Sequence, residues 1–266
     1  MTNLKLYHNG PSTCSQKVRL ILGLKELEYE SKHIDLISGE QHDPEYVKLN
    51  PNHVVPTLIS GDNVLIESSL ILEFLEDSFS EISARPKDPG KAHFMRLWMK
   101  YMDNFHQFVS GVLTYGLAGR HLLLQKTEED RNEDINKIPD PLKRETRRIL
   151  VEQGIDAPIV AEALKRAMIF LNKLENEIPV SGWLSGDSFG LADACVLPYI
   201  LRMQQLNLDE AFNSSDKPKI HDWYLRTQDL PFYDSSVTEL IPAPFSEMFN
   251  TFSLLDKDKA LSIMKG

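Results

Sequence analysis

Two short stretches gather side chains that can do chemistry. The first, NGPSTCSQKVRL from Asn9 to Leu20, places Ser12, Thr13, Ser15 and one of the chain's two cysteines, Cys14, between an apolar strand and a helix. A hydroxyl there caps the helix, and it can also donate to an anion held against the free N–H groups of the first turn. A free thiol with a pKa near ~8.5 is mostly protonated at neutral pH, only the thiolate is the nucleophile, and each unit of depression corresponds to ~1.4 kcal/mol. In the second stretch, Glu67 and Ser68 open an apolar-faced helix, where the dipole favours a carboxylate and Glu67 can take a neighbouring ammonium. His42, with Gln41 before it and Asp43 and Glu45 after it, offers a further polar handle. A metal is not expected, because the helical pattern of DPEYVKL closes no ligand set.

These groups need a frame. LKLYH (Leu4 to His8) alternates as a strand, Val18, Ile21, Leu22 and Lys25 follow a helical stripe, and YESKHIDL (Tyr29 to Leu36) reads as a second strand, which makes a parallel βαβ unit. A short helix over DPEYVKL follows. VVPTLIS and NVLIE, parted by Gly61 and Asp62, read as a hairpin, and Leu70, Ile71, Phe74 and Leu75 mark the next helix. The order is βαβαββα.

SEISARPKDPGK, polar and carrying two prolines, is the expected linker, dividing residues 1–82 from an all-α domain over 91–266. The long span after it carries Leu97, Trp98, Tyr101, Met102 and Phe105 at helical spacing. QKTEEDRNEDINKIPDPLKRETRR reads as a solvated loop and helix end. Helices are expected near 157–177, 191–206 and 218–227, and Phe245, Met248, Phe249 and Phe252 predict an amphipathic helix in the tail.

The bulk numbers narrow the function. With 266 residues, 42% of them hydrophobic, the chain can bury a full core. Its 29 basic side chains are dispersed among 39 acidic ones, for a net charge of −10, so nucleic acid is not an expected partner. No apolar run approaches the ~20 residues of a membrane span, and Met1 leads into strand-like sequence without an export pattern. Two cysteines outside any C-x-x-C spacing suit a reducing, cytoplasmic setting.

The βαβαββα order, the hydroxyl- and thiol-bearing turn after the first strand, VVP opening the third strand and ES opening the last helix together resemble the thioredoxin-fold half of the glutathione transferases. The all-helical second half fits, and WLSGDSFGLAD (Trp183 to Asp193) is similar to a family segment whose aspartate anchors the central helix. The family usually has Ser or Thr three residues before that aspartate. Gly190 stands there, which predicts a modest loss of helix stability. PSTCSQKVR resembles the serine-type, zeta- and theta-like classes, whereas GEQHDPEYVKLNP and WMKYMD resemble bacterial etherase-type members.

The resemblance implies a site for glutathione, whose two carboxylates, ammonium and thiol need complementary groups. Glu67 and Ser68 would hold the γ-glutamyl end. Pro56, expected cis, would present the backbone of Val55 to the cysteinyl part like an added strand. His53 lies near the glycyl end in a slot often glycine in relatives, and Val54 replaces a common lysine or glutamine, so His42 with Gln41 would anchor the glycyl carboxylate. For thiol activation Ser12 is the first candidate and Ser15, at the etherase-type position, the second. Cys14 is either an accessory thiol or the nucleophile of a mixed disulfide. Tyr101, Met102, Phe105, Val109 and Tyr115, with Asp103 and His106 as polar handles, would line a pocket for a small apolar electrophile, although packing is an equally ordinary use for them.

Three functions follow from the resemblance. The first is a glutathione transferase that adds the thiolate to an electrophile or displaces a leaving group. The second is glutathione-dependent β-etherase or thiol-transfer chemistry, the latter requiring Cys14. The third is a non-catalytic binding module. A homodimer is implied for all.

Overall fold

The computed structural model describes residues 4–266. Residues 1–3, on which the reading of the chain's start partly rests, lie outside the described residues. Four strands form one mixed sheet in the order β2-β1-β3-β4. Strand β1 (Leu4–His8) runs parallel to β2 (Glu30–His33) and antiparallel to β3 (Thr57–Ser60), which pairs with β4 (Asn63–Leu65). Leu4, Leu6 and His8 alternate inward along β1, as the period-2 pattern requires. Strand β2 is shorter than YESKHIDL suggested and fully exposed, because it is the sheet edge. Lys5, Glu30 and Lys32 form an ion-pair row there.

Helix α1 (Thr13–Leu24) packs on α3 (Ser68–Ser78), burying Val18, Ile21, Leu22, Ile71, Leu72 and Leu75 against Leu6 and Leu58. Lys25, on the same stripe, is buried too. Its ammonium pairs with Glu76 at 2.7 Å and donates to the carbonyls of Phe79 and Ile82 at 2.7 Å each. A buried charge survives only when so completely partnered. Helix α2 (Pro44–Val47) and the residues around it close the other face, where Ile34, Tyr46 and Val55 cluster. With α3 this is the thioredoxin-like βαβαββα order.

The rest is helical. Helices α4 (Pro89–Tyr101), α5 (Gln107–Thr114) and α6 (Arg120–Leu124) form one long run interrupted by π-helical turns at Met102–His106 and Tyr115–Gly119. The charge-rich segment corrects its reading as a loop. It folds as α7 (Glu128–Asn136) and α8 (Pro141–Gln153), because Thr127 and Asp140 are N-caps accepting from Asp130 N and from Leu142 and Lys143 N, acidic residues fill the first turn of α7, and Pro141 opens α8. Then come α9 (Pro158–Glu177), α10 (Leu191–Gln205), α11 (Pro218–Gln228), α12 (Tyr233–Ser236), α13 (Ala243–Leu254) and α14 (Lys257–Lys265). Phe245 and Phe249 of α13 stack at 4.1 Å.

The chain divides into two compact units, one of Met1–Lys100, Pro179–Pro198 and Trp223–Pro242, the other of Tyr101–Ile178, Tyr199–Asp222 and Ala243–Gly266. In the first, the fully buried Asp193 accepts from Leu184 N, Ser185 N, Gly190 N and Trp223 Nε1. Burial pushes its carboxyl upward against the pull of those donors. The hydroxyl missing at position 190 comes from elsewhere: Ser185 Oγ accepts from Ala192 N at 3.0 Å. A Cβ at Gly190 would lie 2.1 Å from the Ala84 carbonyl oxygen, so glycine is required by space. No helix among the described residues is long and apolar enough to cross a membrane.

Candidate active site

The turn after β1 is built on Asn9. Its carbonyl accepts from Ser12 N at 3.2 Å, its N–H donates to Ser15 Oγ at 3.3 Å, and its side-chain amide reaches the Ile34 carbonyl at 3.0 Å. Ser12 is the N-cap of α1, with extended backbone and Oγ accepting from Ser15 N at 3.3 Å. That oxygen is therefore engaged as acceptor while its proton remains available to a sulfur anion. Ser12 and Cys14 are half-buried; Ser15 is fully buried. Of the two serines, only Ser12 offers its hydroxyl to a ligand arriving from solvent.

His42 and His53 face each other with Nδ1 atoms 2.9 Å apart and ring centroids 5.2 Å apart. One Nδ1 carries the shared proton and the other accepts it. His53 has φ +55, which explains why glycine suits that slot. Gln41 Oε1, in the preceding loop, is a buried acceptor with no partner. Tyr46 OH and Asn50 Nδ2 hold the Val54 carbonyl at 2.7 and 2.9 Å, fixing the backbone just ahead of Val55, and the Val55–Pro56 bond is cis.

Glu67 is exposed and has φ +68, a left-handed conformation costly for a side chain with a Cβ. Asn52 Nδ2 donates to Glu67 Oε1 at 3.4 Å, tying the His53 loop to the start of α3, and Ser68 is buried as the first residue of that helix. Ser12, Cys14, Ser15, Gln41, His42, His53, Val55, Pro56, Glu67 and Ser68 all belong to the first compact unit.

The candidate electrophile-pocket residues lie in the second unit, at or beside the two π-helical turns, a backbone irregularity that often accompanies functional sites. Tyr101 is half-buried and pairs with the exposed Phe105 at 5.6 Å. Met102 and Val109 are core residues. His106 is buried against Phe170 and Tyr199, with ring centroids 4.0 and 5.3 Å away, and Asp103 is exposed. Tyr115 is half-buried, and the Arg147 guanidinium carbon sits 3.1 Å from its ring centroid. Among the described residues no three His, Cys, Asp or Glu side chains converge as metal ligands.

Arg19 was absent from the sequence reading of the site. It is fully buried, and its guanidinium donates to the carbonyls of Asn9, Gly10 and Ser236 and to His8 Nδ1. A charged residue inside the otherwise apolar run VRLIL was the available signal. His8, whose Nε2 lies 2.7 Å from Ser31 Oγ, is pushed down to about 4 by burial and by Arg19, so it is neutral at pH 7.

The model described as glutathione S-transferase, N-terminal domain, matches residues 11–78, and that of the C-terminal domain matches 140–231. Protein LigF of Sphingobium sp. strain SYK-6 is 31% identical over 195 residues, 72% of this chain and 76% of LigF. The crystal structure of beta-etherase LigF superposes with a TM-score of 0.80 at 27% identity, covering 88% of this chain and 98% of that one. Glutathione S-transferase TCHQD of Arabidopsis thaliana is 27% identical over 230 residues, covering 84% and 85% of the two chains. Tetrachloro-p-hydroquinone reductive dehalogenase of Sphingobium chlorophenolicum is 28% identical over 239 residues, covering 85% and 92%.

Proposed function

The chain belongs to the glutathione S-transferase family, and on that premise we propose that it binds glutathione in residues 1–82, ionises its thiol against Ser12 and uses the thiolate to attack a small apolar electrophile. The observation that carries this reading is the Ser12 hydroxyl, which caps α1 by accepting from Ser15 N and so retains a donor that this bond does not use. A bound sulfur accepts that proton's hydrogen bond and gains the positive end of α1, both favouring the thiolate. Glu67 and Ser68 take the γ-glutamyl ammonium and carboxylate, Val55 the cysteinyl backbone, and the His42–His53 pair with Gln41 the glycyl carboxylate. Holding the ligand at both ends orients the thiol for attack.

The resemblance to LigF supports a second reading, in which the electrophile is a β-ether. The thiolate would attack the carbon bearing the ether oxygen, the C–S bond would form as the C–O bond breaks, and the leaving oxyanion would take a proton from water. In a third, the Cys14 thiolate would attack a glutathione mixed disulfide, forming a Cys14–glutathione S–S bond as the substrate thiolate leaves, and a second glutathione thiolate would then release glutathione disulfide and restore Cys14. Incubation with glutathione and, separately, an aryl ether, an aryl halide and a small disulfide, followed by product identification, separates the three. Thioether formation that survives in Cys14→Ala supports the first or second according to the leaving group. Disulfide reduction lost in Cys14→Ala supports the third, and no product with glutathione bound leaves a binding module.

A homodimer accompanies this reading, as the family resemblance implies; in the first unit Val64, Leu70, Phe94 and Leu97 are each exposed. Cys14 and Cys195 are reduced cysteines, which suits the cytoplasm.

A further inference from the structure

The guanidinium of Arg19 is 1% exposed, yet every acceptor it meets is neutral. Nη2 donates to the Gly10 carbonyl at 2.8 Å, Nη1 to the Asn9 carbonyl and His8 Nδ1 at 3.1 Å each, and Nε to the Ser236 carbonyl at 2.7 Å. Among the described residues no carboxylate pairs with it. Burial lowers it to about 10, which leaves it charged at neutral pH. A buried cation without a counter-anion is a costly arrangement, so the acceptors that meet its donors are held firmly in place.

Two of these acceptors are the carbonyls of the residues that lead into the Ser12 turn. The Asn9 carbonyl is shared between Arg19 Nη1 and Ser12 N, and the Gly10 carbonyl also accepts from Gln16 Nε2 at 3.4 Å. Both carbonyl oxygens, which would repel a thiolate, are thus turned toward the guanidinium. The same turn is backed by the chain around α12. Ser236 Oγ donates to the Arg19 carbonyl at 3.1 Å, and a Cβ on Gly10 would lie 1.7 Å from the Leu240 carbonyl oxygen. The ionisable groups facing Arg19 are His8 from β1 and Tyr29 ahead of β2, with Glu26 and Glu28 at the rim of the same hollow.

We propose that Arg19 is the positioning residue for thiol activation: it holds the Asn9 and Gly10 carbonyls inward and so seats Ser12. This rests on the transferase reading above. It acts through Ser12 and does not touch the substrate.

The test follows thiolate absorbance of bound glutathione across pH in wild type, Arg19→Met, Arg19→Lys, Ser12→Ala and the double variant Ser12→Ala/Arg19→Met, with the glutathione Kd measured alongside. In Arg19→Met the bound thiol should titrate roughly one pH unit higher, with Kd at high pH changed less than about threefold. Arg19→Lys, which keeps the charge but not the fork, should fall between. In the Ser12→Ala background, Arg19→Met should add little, because the two act on one hydrogen bond. If Arg19→Met does not fold, the folded Arg19→Lys decides by its titration alone. A wild-type titration in either folded variant, or full additivity in the double variant, overturns the proposal while leaving the transferase reading intact. A wild type that does not bind glutathione overturns both.

Discussion

His42 and His53 approach each other nose to nose, Nδ1 to Nδ1 at 2.9 Å, so that one proton is shared between two rings from different loops. A carboxylate brought to this pair accepts a hydrogen bond from a ring N–H that the shared contact leaves outward. Replacing either histidine with alanine should raise the KM for glutathione roughly tenfold with kcat nearly unchanged, since a charge-assisted hydrogen bond to the ground state is lost. A glutathione analogue without the glycyl carboxylate should not distinguish the variants from wild type. Equal losses with both ligands would remove the pair from the glycyl end.

Glu67 trades stability for direction. At φ +68 its backbone is strained, so Glu67→Gly should leave thermal stability unchanged or raise it by up to about 1 kcal/mol while weakening glutathione binding about tenfold. Calorimetric scans with and without glutathione measure both effects on one sample. A destabilised glycine variant would mean that the Asn52–Glu67 contact outweighs the strain.

The cap of α10 is divided between two residues. Ser185→Ala should cost about 1 kcal/mol by removing the acceptor for Ala192 N. Gly190→Ser, which brings in the hydroxyl common among relatives, should cost more, because its Cβ collides with the Ala84 carbonyl. Urea midpoints of the two variants give the order; a stabilised Gly190→Ser would show that the backbone at 84 can retreat.

His8 makes the fold sensitive to acid. Its folded value is pushed down to about 4 from an ordinary 6.5, so between those limits the unfolded chain binds the extra proton and stability falls as pH falls. By pH 4 the loss attributable to His8 should approach about 3 kcal/mol. Comparing urea unfolding of wild type and His8→Asn at pH 7 and pH 4.5 isolates it, because the asparagine does not titrate. Parallel losses would place the acid sensitivity elsewhere.

The alternating and helical patterns made the βαβαββα order and the long helices legible, because one apolar face suffices to specify each. The helices at 128–136 and 141–153 were hidden by their charge: caps at Thr127 and Asp140 stabilise them locally, with Ile135, Leu150 and Val151 as their few buried positions. Individual site residues could be named from the turn and helix-start chemistry. Their pairings could not, since His42 meets His53 and Arg19 meets Ser236 only through tertiary structure, the latter across 217 positions. Ser15 shows the same limit, because its burial under the turn is invisible to spacing.

The most direct test of the account is the ionisation of glutathione bound to wild type and to Ser12→Ala, read as thiolate absorbance from pH 5 to 10 with affinity measured in parallel. The account predicts a depressed thiol pKa in the wild type that returns toward its free value in Ser12→Ala while glutathione still binds. A depressed pKa that persists in Ser12→Ala would contradict it and move thiol activation to another residue of the turn.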